Sequence, residues 1–87
     1  MELLTAMDPV MDVRPIPCST KHKLILERWR SLRVGESFIL LNDHDPVPLY
    51  YQFSAQWPGL FRWEHLQRGP EEFRVRITKL GELPEMK

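Results

Sequence analysis

The sequence has one cysteine, no long apolar run and no excess of charge of either sign, and each absence excludes a class of protein. A lone Cys18 cannot form a disulfide within the chain. Apolar runs such as Phe38 to Leu41 fall far short of the roughly 20 residues that a membrane-spanning helix needs. Lysine and arginine total 12, as do aspartate and glutamate, so no positive excess favours binding to a phosphate backbone. We therefore expect neither membrane insertion nor nucleic-acid binding.

The length and the two ends of the chain predict a single small domain. Its 87 residues suffice for one hydrophobic core and no more. Residues 1–7 lack the basic segment and apolar stretch of a signal peptide, which predicts a soluble cytoplasmic protein in a reducing compartment. Segments 1–9 and 81–87 show no periodicity, so we expect flexible extensions around a domain that spans residues 10–80.

The first third of the domain is predicted to be a strand followed by a helix. Val10 to Arg14 alternates apolar and polar side chains until Pro15 and Pro17 end the strand. A helix is expected from Ser19 or Thr20 onward, and either side chain can cap its first amides. The helical spacing assigns its apolar face to His22, Ile25, Leu26, Trp29 and Leu32.

A second strand and helix follow. Residues 37–42 contain four consecutive apolar side chains, as in a strand that is covered on both faces or lies centrally. Asp45 suits the N-cap of the next helix, and Pro46 suits its first position because an N–H would lack a partner there. Until Pro58 and Gly59 end this helix, apolar residues recur at helical spacing at Leu49, Tyr50, Phe53 and Trp57.

The last third is predicted to be a hairpin. Apolar and charged side chains alternate over residues 61–65 and again over 73–77, with Gly69 and Pro70 at the turn. The expected register pairs Trp63 with Val75 or Phe73, and Glu64 with Arg74 or Arg76.

These elements predict an α+β fold, a two-layer βαβαββ sandwich. Joining the first two strands through the first helix gives a right-handed parallel unit, and the hairpin adds antiparallel pairing, with both helices on one sheet face. The loops that follow the first two strands then share one edge of the sheet. Open α/β sheets favour ligands at such an edge, since helix N-termini direct their amides there.

Cys18 is the candidate reactive residue at this edge. A thiol just ahead of a helix experiences the positive end of the helix dipole, and Lys21 and His22 lie close by in sequence, which favours the thiolate and suits a persulfide carrier. The alternative is that Cys18 is a small apolar residue buried in a proline-rich loop.

His22 and His44 form a second candidate constellation. With Asp43 and Cys18 alongside, they could ligate iron or zinc, which accept mixtures of imidazole, carboxylate and thiolate. The chain has no paired CxxC and no HExxH motif to reinforce this hypothesis. The alternative is structural: His44 hydrogen-bonds within an Asx-type loop, and His22 lies on the apolar face of the first helix.

Tyr50 and Tyr51 begin the second helix beside the same edge and are candidates to line a small-ligand or anion pocket. Packing alone is the competing explanation for at least one of them. Together, the candidate binding residues of the edge are Lys21, His22, Asn42, Asp43, His44, Asp45, Tyr50 and Tyr51.

Several segments resemble a known family. They are Met11-Asp12-Val13-Arg14, Asn42-Asp43-His44-Asp45-Pro46, Pro48-Leu49-Tyr50-Tyr51-Gln52, Gly69-Pro70-Glu71 and Phe73-Arg74-Val75-Arg76-Ile77. Over roughly Val10 to Leu80 the chain resembles domain of unknown function 2249, a family similar to the TusA/SirA sulfur carriers. The resemblance implies a mixed four-stranded sheet in the order 1-2-4-3, with strand four antiparallel to the rest.

The likeness to the TusA/SirA carriers also implies a role for Cys18. Their segment L-D-x-R-G-L-x-C-P-x-P holds a persulfide on its cysteine, and Asp12, Arg14, Ile16 and Cys18 fall in register with it. The chain departs from this segment where Pro15 replaces the glycine and where Ser19 and Lys21 replace prolines. An Asp-Asp-Pro of the carriers is matched at Asp45 and Pro46.

Three hypotheses for function follow. The first is a non-enzymatic accessory module that presents the Cys/His/Asp edge, at the carboxyl ends of the first two strands, to a protein partner or a small ligand. The second is a sulfur carrier in which a partner enzyme loads Cys18 with a persulfide that Lys21 and the helix amides stabilise. The third is a metal-linked or redox-linked module that uses His22 and His44 with iron or zinc. The oligomeric state is left open.

Overall fold

The computed structural model describes residues 8–84. Its elements are β1 (Val10–Asp12), α1 (Cys18–Ser31), β2 (Ser37–Asn42), α2 (Val47–Gln56), β3 (Phe61–Arg68) and β4 (Phe73–Lys79). The strands form one sheet in the order β1-β2-β4-β3, in which β1 is parallel to β2 and β4 is antiparallel to both of its neighbours. The predicted α+β fold, its element order and its strand order are confirmed. Neither helix within residues 8–84 is both long and apolar enough to span a bilayer.

The parallel pairing of β1 with β2 brings two loops to one edge of the sheet. Met11 lies opposite Leu40 and Asp12 opposite Leu41, and the N–H of Val13 donates to the Leu41 carbonyl at 3.0 Å just beyond β1. The loop that leads into α1 therefore starts beside the loop that leads into α2, as predicted.

In the hairpin of β3 and β4, one of the two predicted residue pairings is found and the other is wrong. Glu64 lies opposite Arg76, as predicted, whereas Trp63 lies opposite Ile77 rather than Val75 or Phe73. The register differs because β4 is longer than predicted. It continues two residues past its apolar alternation, to Lys79, which pairs with Phe61. The excess length of β3 is taken up by a bulge between His65 and Gln67.

The core lies between the helices and one face of the sheet. Trp29 is fully buried and packs against Phe53 and Trp57, with ring centroids 4.9 and 5.7 Å away. Each large apolar side chain that is removed from water in this way contributes roughly 1.5 to 3 kcal/mol to the stability of the fold. The cluster comprises Val13, Ile25, Trp29, Phe38, Leu40, Leu49, Phe53, Trp57, Val75, Ile77 and Leu83.

Leu83 joins the core from outside the strands and helices. It is 3% exposed, although it belongs to the segment 81–87 that the sequence predicts to be a flexible tail. The structure describes 81–84 of this segment, and of the predicted extension 1–9 it describes Asp8 and Pro9. Pro9 is also bound to the sheet, because its carbonyl accepts the N–H of Ile39 at 2.8 Å.

The buried face of α1 is rotated from the predicted one. Lys21, Ile25 and Trp29 are its buried residues, and His22 is exposed. The prediction that His22 lies on the apolar face is therefore wrong. A lysine can take this place because its aliphatic stem packs against apolar surface while its ammonium reaches a polar partner.

The helix N-termini also differ from those predicted. Pro17 is the N-cap of α1, and Cys18 is its first residue, so neither Ser19 nor Thr20 is the cap. The Pro17 carbonyl instead accepts the N–H groups of Thr20 and Lys21 at 2.9 and 2.8 Å. The fixed φ of proline suits the entry to a helix, which explains why the helix starts earlier than the first hydroxyl side chain.

At the start of α2, Pro46 is the N-cap and Val47 the first helical residue. The prediction of Asp45 as N-cap is wrong, because Pro48 occupies the second helical position and the helix begins one residue later than expected. No side chain caps this helix. The Asp45 carboxylate instead pairs with Arg68, with Oδ2 3.2 Å from Nη2.

Lys79 supports the other end of α1 from within the sheet. It is 3% exposed, and its Nζ donates to the carbonyls of Arg30 and Leu32 at 3.2 and 2.6 Å. The ammonium also lies 5.2 Å from the centre of the Trp29 ring. These contacts satisfy carbonyls that the end of a helix leaves without intrahelical partners.

Candidate functional site

A buried hydrogen bond joins α1 to the end of β2 at the edge that the sequence singles out. Lys21 lies in the first turn of α1, and its Nζ donates to the side-chain oxygen of Asn42 at 3.0 Å. Asn42 is the last residue of β2, and its side chain follows buried Phe38 and Leu40 at two-residue steps, which places all three on the helix-covered face. Lys21 and Asn42 are 5% and 3% exposed. Both predicted binding residues therefore belong to one internal contact rather than to the surface.

Asp43 and His44 come next in the chain and lie at the surface of this edge. The Nδ1 atom of His44 is 2.7 Å from Oδ1 of Asp43, and both side chains are more than half exposed. The hydrogen bond from His44 holds the pKa of the Asp43 carboxyl below its usual 3.8, and the positive charge of Lys21 acts in the same direction. This agrees with the predicted loop role of His44, although its partner is the adjacent aspartate.

Asp12 and Arg14 form the part of the edge that follows β1. Two nitrogens of the Arg14 guanidinium, Nε and Nη2, bind the two Asp12 carboxylate oxygens at 2.9 and 2.8 Å, and its third nitrogen is 2.8 Å from Glu72. The hydrogen bonds from Arg14 lower the pKa of Asp12 from 3.8 to about 2. The same pairing raises the pKa of Arg14 above its ordinary value. A fork of this kind fixes the direction of the loop that leads to α1.

The loops of this edge enclose an acidic depression. It has a volume of about 560 Å³ and is lined by Asp12, Arg14, Pro15, Asp43, Glu71 and Glu72. Four of these six residues are carboxylates, and Arg14 is the one cation among them. The hairpin turn thus contributes acidic residues that lie far from the β1 and β2 loops in sequence. We name this surface, with its six lining residues, the acidic edge.

Cys18 is exposed and begins α1, and its thiol is free. Of the two interpretations made from sequence, that of a buried Cys18 is therefore wrong. The structure has an accessible thiol at this position. No side chain caps this helix N-terminus. Because Lys21 Nζ is directed to Asn42 inside the protein, the predicted role of Lys21 beside a persulfide lacks geometric support.

The structure gives no further support to a metal centre at this edge. Within residues 8–84, no three or more histidine, cysteine, aspartate or glutamate side chains come together as ligands for an ion. His22 and His44 are both exposed, and their joint use with iron or zinc stays a prediction.

Tyr50 and Tyr51 face a different region, the groove between α2 and β3. Tyr51 is 65% exposed, and the ring centroids of the two tyrosines are 5.8 Å apart. Tyr50 also packs edge-on against Trp63 at 5.3 Å. A depression of about 390 Å³ is lined by Asp45, Val47, Tyr50, Tyr51, Trp63, His65 and Arg68. The two tyrosines and Asp45 therefore share a surface with β3 residues that sequence reasoning did not connect to them.

Sequence reasoning also missed the roles of Arg14 and Glu72 at the acidic edge. The spacing of Asp12 and Arg14, two residues apart beyond a strand, is a local signal for the first contact. The contact from Arg14 to Glu72 spans 58 residues, and nothing in the local pattern indicates it.

Comparison with protein families gives one match. The model of an uncharacterized conserved protein family, DUF2249, matches residues 10–79. The chain belongs to the DUF2249 family. No curated protein and no solved structure matches it significantly.

The DUF2249 match runs from the first residue of β1 to the last residue of β4. It therefore includes both loops of the acidic edge, the hairpin turn and the groove between α2 and β3. It ends four residues before Leu83, which completes the core.

Proposed function

We propose that this DUF2249 domain is a non-enzymatic cytoplasmic binding module that presents the acidic edge, with Cys18, His22 and His44 around it, to a protein partner. The observation that carries the proposal is the buried bond between Lys21 and Asn42. It fixes the first turn of α1 against the end of β2, so the exposed groups around it are held on a rigid base. Pre-organised surfaces lose less conformational entropy on binding.

The charge of the edge supports a partner with basic side chains. Asp12 and Glu72 share Arg14, and Glu72 also pairs with Arg74 at 3.0 Å, whereas Asp43 has the neighbouring His44 as its polar partner. Glu71 also lines the depression and is exposed. Acidic residues on a rim act mainly by steering and selecting an oppositely charged partner.

The single thiol of the chain allows a direct test. A photoactivatable cross-linker attached to Cys18 labels the first residue of α1, four residues beyond Arg14, and it can be activated in an extract of the source cells. We expect one adduct of defined mass whose yield falls about tenfold in the double variant Asp43→Lys, Glu71→Lys and falls with added salt. Asp43→Lys alone should also lower the yield, whereas Glu27→Lys, on the exposed side of α1, changes the charge by the same amount and should leave the yield unchanged.

A second control moves the thiol to the other end of the same helix. Combining Cys18→Ser with Ser31→Cys places the cross-linker roughly 20 Å away along α1. Equal adduct yields from the two positions, or equal yields from the Asp43 and Glu27 variants, would show that the edge has no specific partner and would overturn the proposal.

A sulfur carrier is the second candidate, and the exposure of Cys18 at the start of α1 favours it. The resemblance to the TusA/SirA carriers seen in the sequence supports this candidate, because Cys18 falls in register with their persulfide-bearing cysteine. In this function the Cys18 thiolate attacks the terminal sulfur of a persulfide on a cysteine desulfurase. The S–S bond of the donor breaks, its cysteine leaves as a thiolate, and Cys18 gains the sulfur.

Mass spectrometry distinguishes the carrier from the binding module. After incubation with a cysteine desulfurase and free cysteine, a carrier gains the mass of one sulfur atom on Cys18, and a reductant removes it. Cys18→Ser is the matched control and should gain nothing. An unmodified Cys18 peptide under conditions that load an established carrier would reject this candidate while leaving the cross-linking result unaffected.

A further inference from the structure

The strand β3 has an open outer edge. It is the last strand in the order β1-β2-β4-β3, and within residues 8–84 it pairs with β4 alone. With eight residues it is also the longest strand of the sheet. An edge strand offers unpaired N–H and C=O groups to any extended chain that can lie beside it. The bulge between His65 and Gln67 interrupts this edge, so its regular open part runs from Phe61 to His65 and is the candidate binding site.

The hydrogen bonds at the start of the hairpin show which backbone groups are open. The N–H of Leu80 donates to the Leu60 carbonyl at 2.8 Å, so this pair is bonded across the hairpin. The N–H and C=O of Lys79 are instead used on the β2 side, with Glu36 and Gly35. Bonded and non-bonded pairs alternate along an antiparallel ladder. The backbone groups that point away from β4 therefore belong to Phe61, Trp63 and His65.

A groove with an aromatic floor runs beside this open edge. Two depressions between α2 and β3, of about 430 and 390 Å³, adjoin each other at Tyr50 and Trp63, which line both, and we call the two together the channel. Tyr50 lies edge-on to Phe61 at 6.0 Å and to Trp63 at 5.3 Å. Side chains of an added strand that point to the helix side would enter this channel, since successive residues of a strand alternate between faces.

Exposed apolar side chains concentrate at the same place. Seven large apolar residues are exposed in the part of the chain that the structure describes, and three of them line the channel: Val47, Tyr50 and Tyr51. Leu66, a fourth, lies on β3. Contiguous exposed apolar surface of this kind marks interaction sites more often than isolated apolar residues do.

An arginine lies at each end of the channel. Arg62 lines one end and Arg68 the other, and their side chains are 61% and 62% exposed. Arg68 already pairs with Asp45, whose Oδ2 lies 3.2 Å from its Nη2. Arg62 approaches its acidic neighbour Glu64 only at 4.0 Å. Six residues of extended chain, roughly 20 Å, separate the two arginines along the strand. We propose that the β3 edge binds an extended segment of a partner protein as a fifth strand, with apolar side chains in the channel and an acidic side chain near Arg62.

Amide hydrogen exchange on the native chain tests this proposal directly. A random heptapeptide library displayed on phage is selected against the full chain, and the enriched peptide is synthesised. We expect alternating apolar residues with an aspartate or glutamate at one end in the enriched sequences. At saturation the peptide should slow exchange of the Trp63 and His65 amides at least tenfold, because each gains a hydrogen bond. The amides of Arg62 and Glu64, which already pair with β4, should change little.

Variants at His65 separate backbone pairing from side-chain contacts. His65→Pro removes an N–H that points away from β4, a position at which an edge strand tolerates proline, and should weaken peptide binding about tenfold. His65→Ala keeps that N–H and should bind within about threefold of the native chain. Tyr51→Ala should weaken binding by removing channel wall, while Val34→Ala, an exposed apolar residue elsewhere, should not. Circular dichroism verifies that each variant is folded. If the proline variant is not folded, the peptide binding of Tyr51→Ala tests the proposal in its place.

Three results would overturn the proposal. The first is failure to enrich any peptide that slows the Trp63 and His65 amides. The second is equal loss of binding in His65→Ala and His65→Pro. The third is slowed exchange of the same amides when the chain alone is concentrated, which would identify a second copy as the occupant. The acidic edge lies on other loops, so Asp43→Lys should leave peptide binding unchanged.

Discussion

Lys21 Nζ donates a 3.0 Å hydrogen bond to the Asn42 side-chain oxygen, between two side chains that are 5% and 3% exposed. The contact joins residues 21 positions apart, one in the first turn of a helix and one at the end of a strand. Removing the neutral partner of a buried ammonium costs free energy, because the ammonium cannot form a replacement hydrogen bond to water. The bond is therefore both a structural link and the base of the proposed binding edge.

We predict that the two members of this pair are strongly coupled. Asn42→Leu leaves the ammonium without its partner and should lower the free energy of unfolding by about 3 kcal/mol. Lys21→Met keeps the length of the stem and should cost about 1 to 3 kcal/mol. The double variant should cost less than the sum by at least about 1 kcal/mol. Urea unfolding of the four proteins measures this coupling, and additive effects would show that the bond contributes nothing of its own.

The pair of Asp12 and Arg14 should make stability depend on pH in the acid range. The pKa of Asp12 is about 2 in the folded chain against an ordinary 3.8. A carboxylate with a lowered folded pKa contributes stability above its ordinary pKa and loses it as the pH falls toward the folded value. Asp12→Asn should therefore unfold at a urea concentration that depends less on pH between 3.8 and about 2.

Glu27→Gln is the matched control for Asp12, because Glu27 lies on the exposed side of α1. Its pH profile should follow that of the native chain. Since the Asp12 pair is exposed, added salt should flatten the native profile toward that of Asp12→Asn. If the native profile coincided with the Asp12→Asn profile at low salt, this would contradict the assignment of the acid-range pH dependence of stability to Asp12.

His44 should control the acidity of its neighbour. Its ring hydrogen bond is the largest cause of the lowered pKa of Asp43, so His44→Ala should raise that pKa toward 3.8. Carbon-13 NMR titration of the Asp43 carboxyl measures the shift directly. His22→Ala serves as the control. An equal shift in both variants would mean that general charge, rather than the 2.7 Å contact, sets the acidity.

Lys79 should be worth more to stability than a typical lysine. Its Nζ binds two carbonyls at the end of α1, and Lys79→Met removes both bonds while keeping most of the buried stem. We expect a loss of about 1 to 3 kcal/mol in the free energy of unfolding. Lys23→Met, on the exposed side of α1, should stay within about 0.5 kcal/mol of the native chain. Similar losses in both variants would refute the assigned role.

The fold was predictable because its main determinants are local or topological. Four apolar residues in a row define β2, whose bounds Ser37–Asn42 match the prediction. The short loops and handedness rules then leave few ways to join the strands, and the resemblance to DUF2249 supplied the strand order. Helix starts were less predictable, because Pro17 and Pro46 determine them through backbone geometry rather than through a capping side chain.

For the candidate site, the position of its loops in the fold was predictable, whereas its contacts were predictable only in part. Asn42, Asp43 and His44 were identified because they end a buried strand. That Lys21 rather than His22 is buried could not be inferred, since a lysine is normally assigned to solvent and its partner lies 21 residues away. The contact of Arg14 with Glu72 could not be inferred either, because the two residues lie 58 positions apart in the sequence.

Leu83 completes the interior from beyond the last strand, and this determines where a fragment that still folds must end. A polypeptide cut at residue 79, where the family match stops, lacks that side chain and leaves a void beside the aromatic residues. Loss of a buried leucine costs about 2 to 5 kcal/mol, a large part of the stability of a domain this small. The autonomous folding unit is therefore longer than the region shared with the family, and any tag or fused partner should be joined after residue 83.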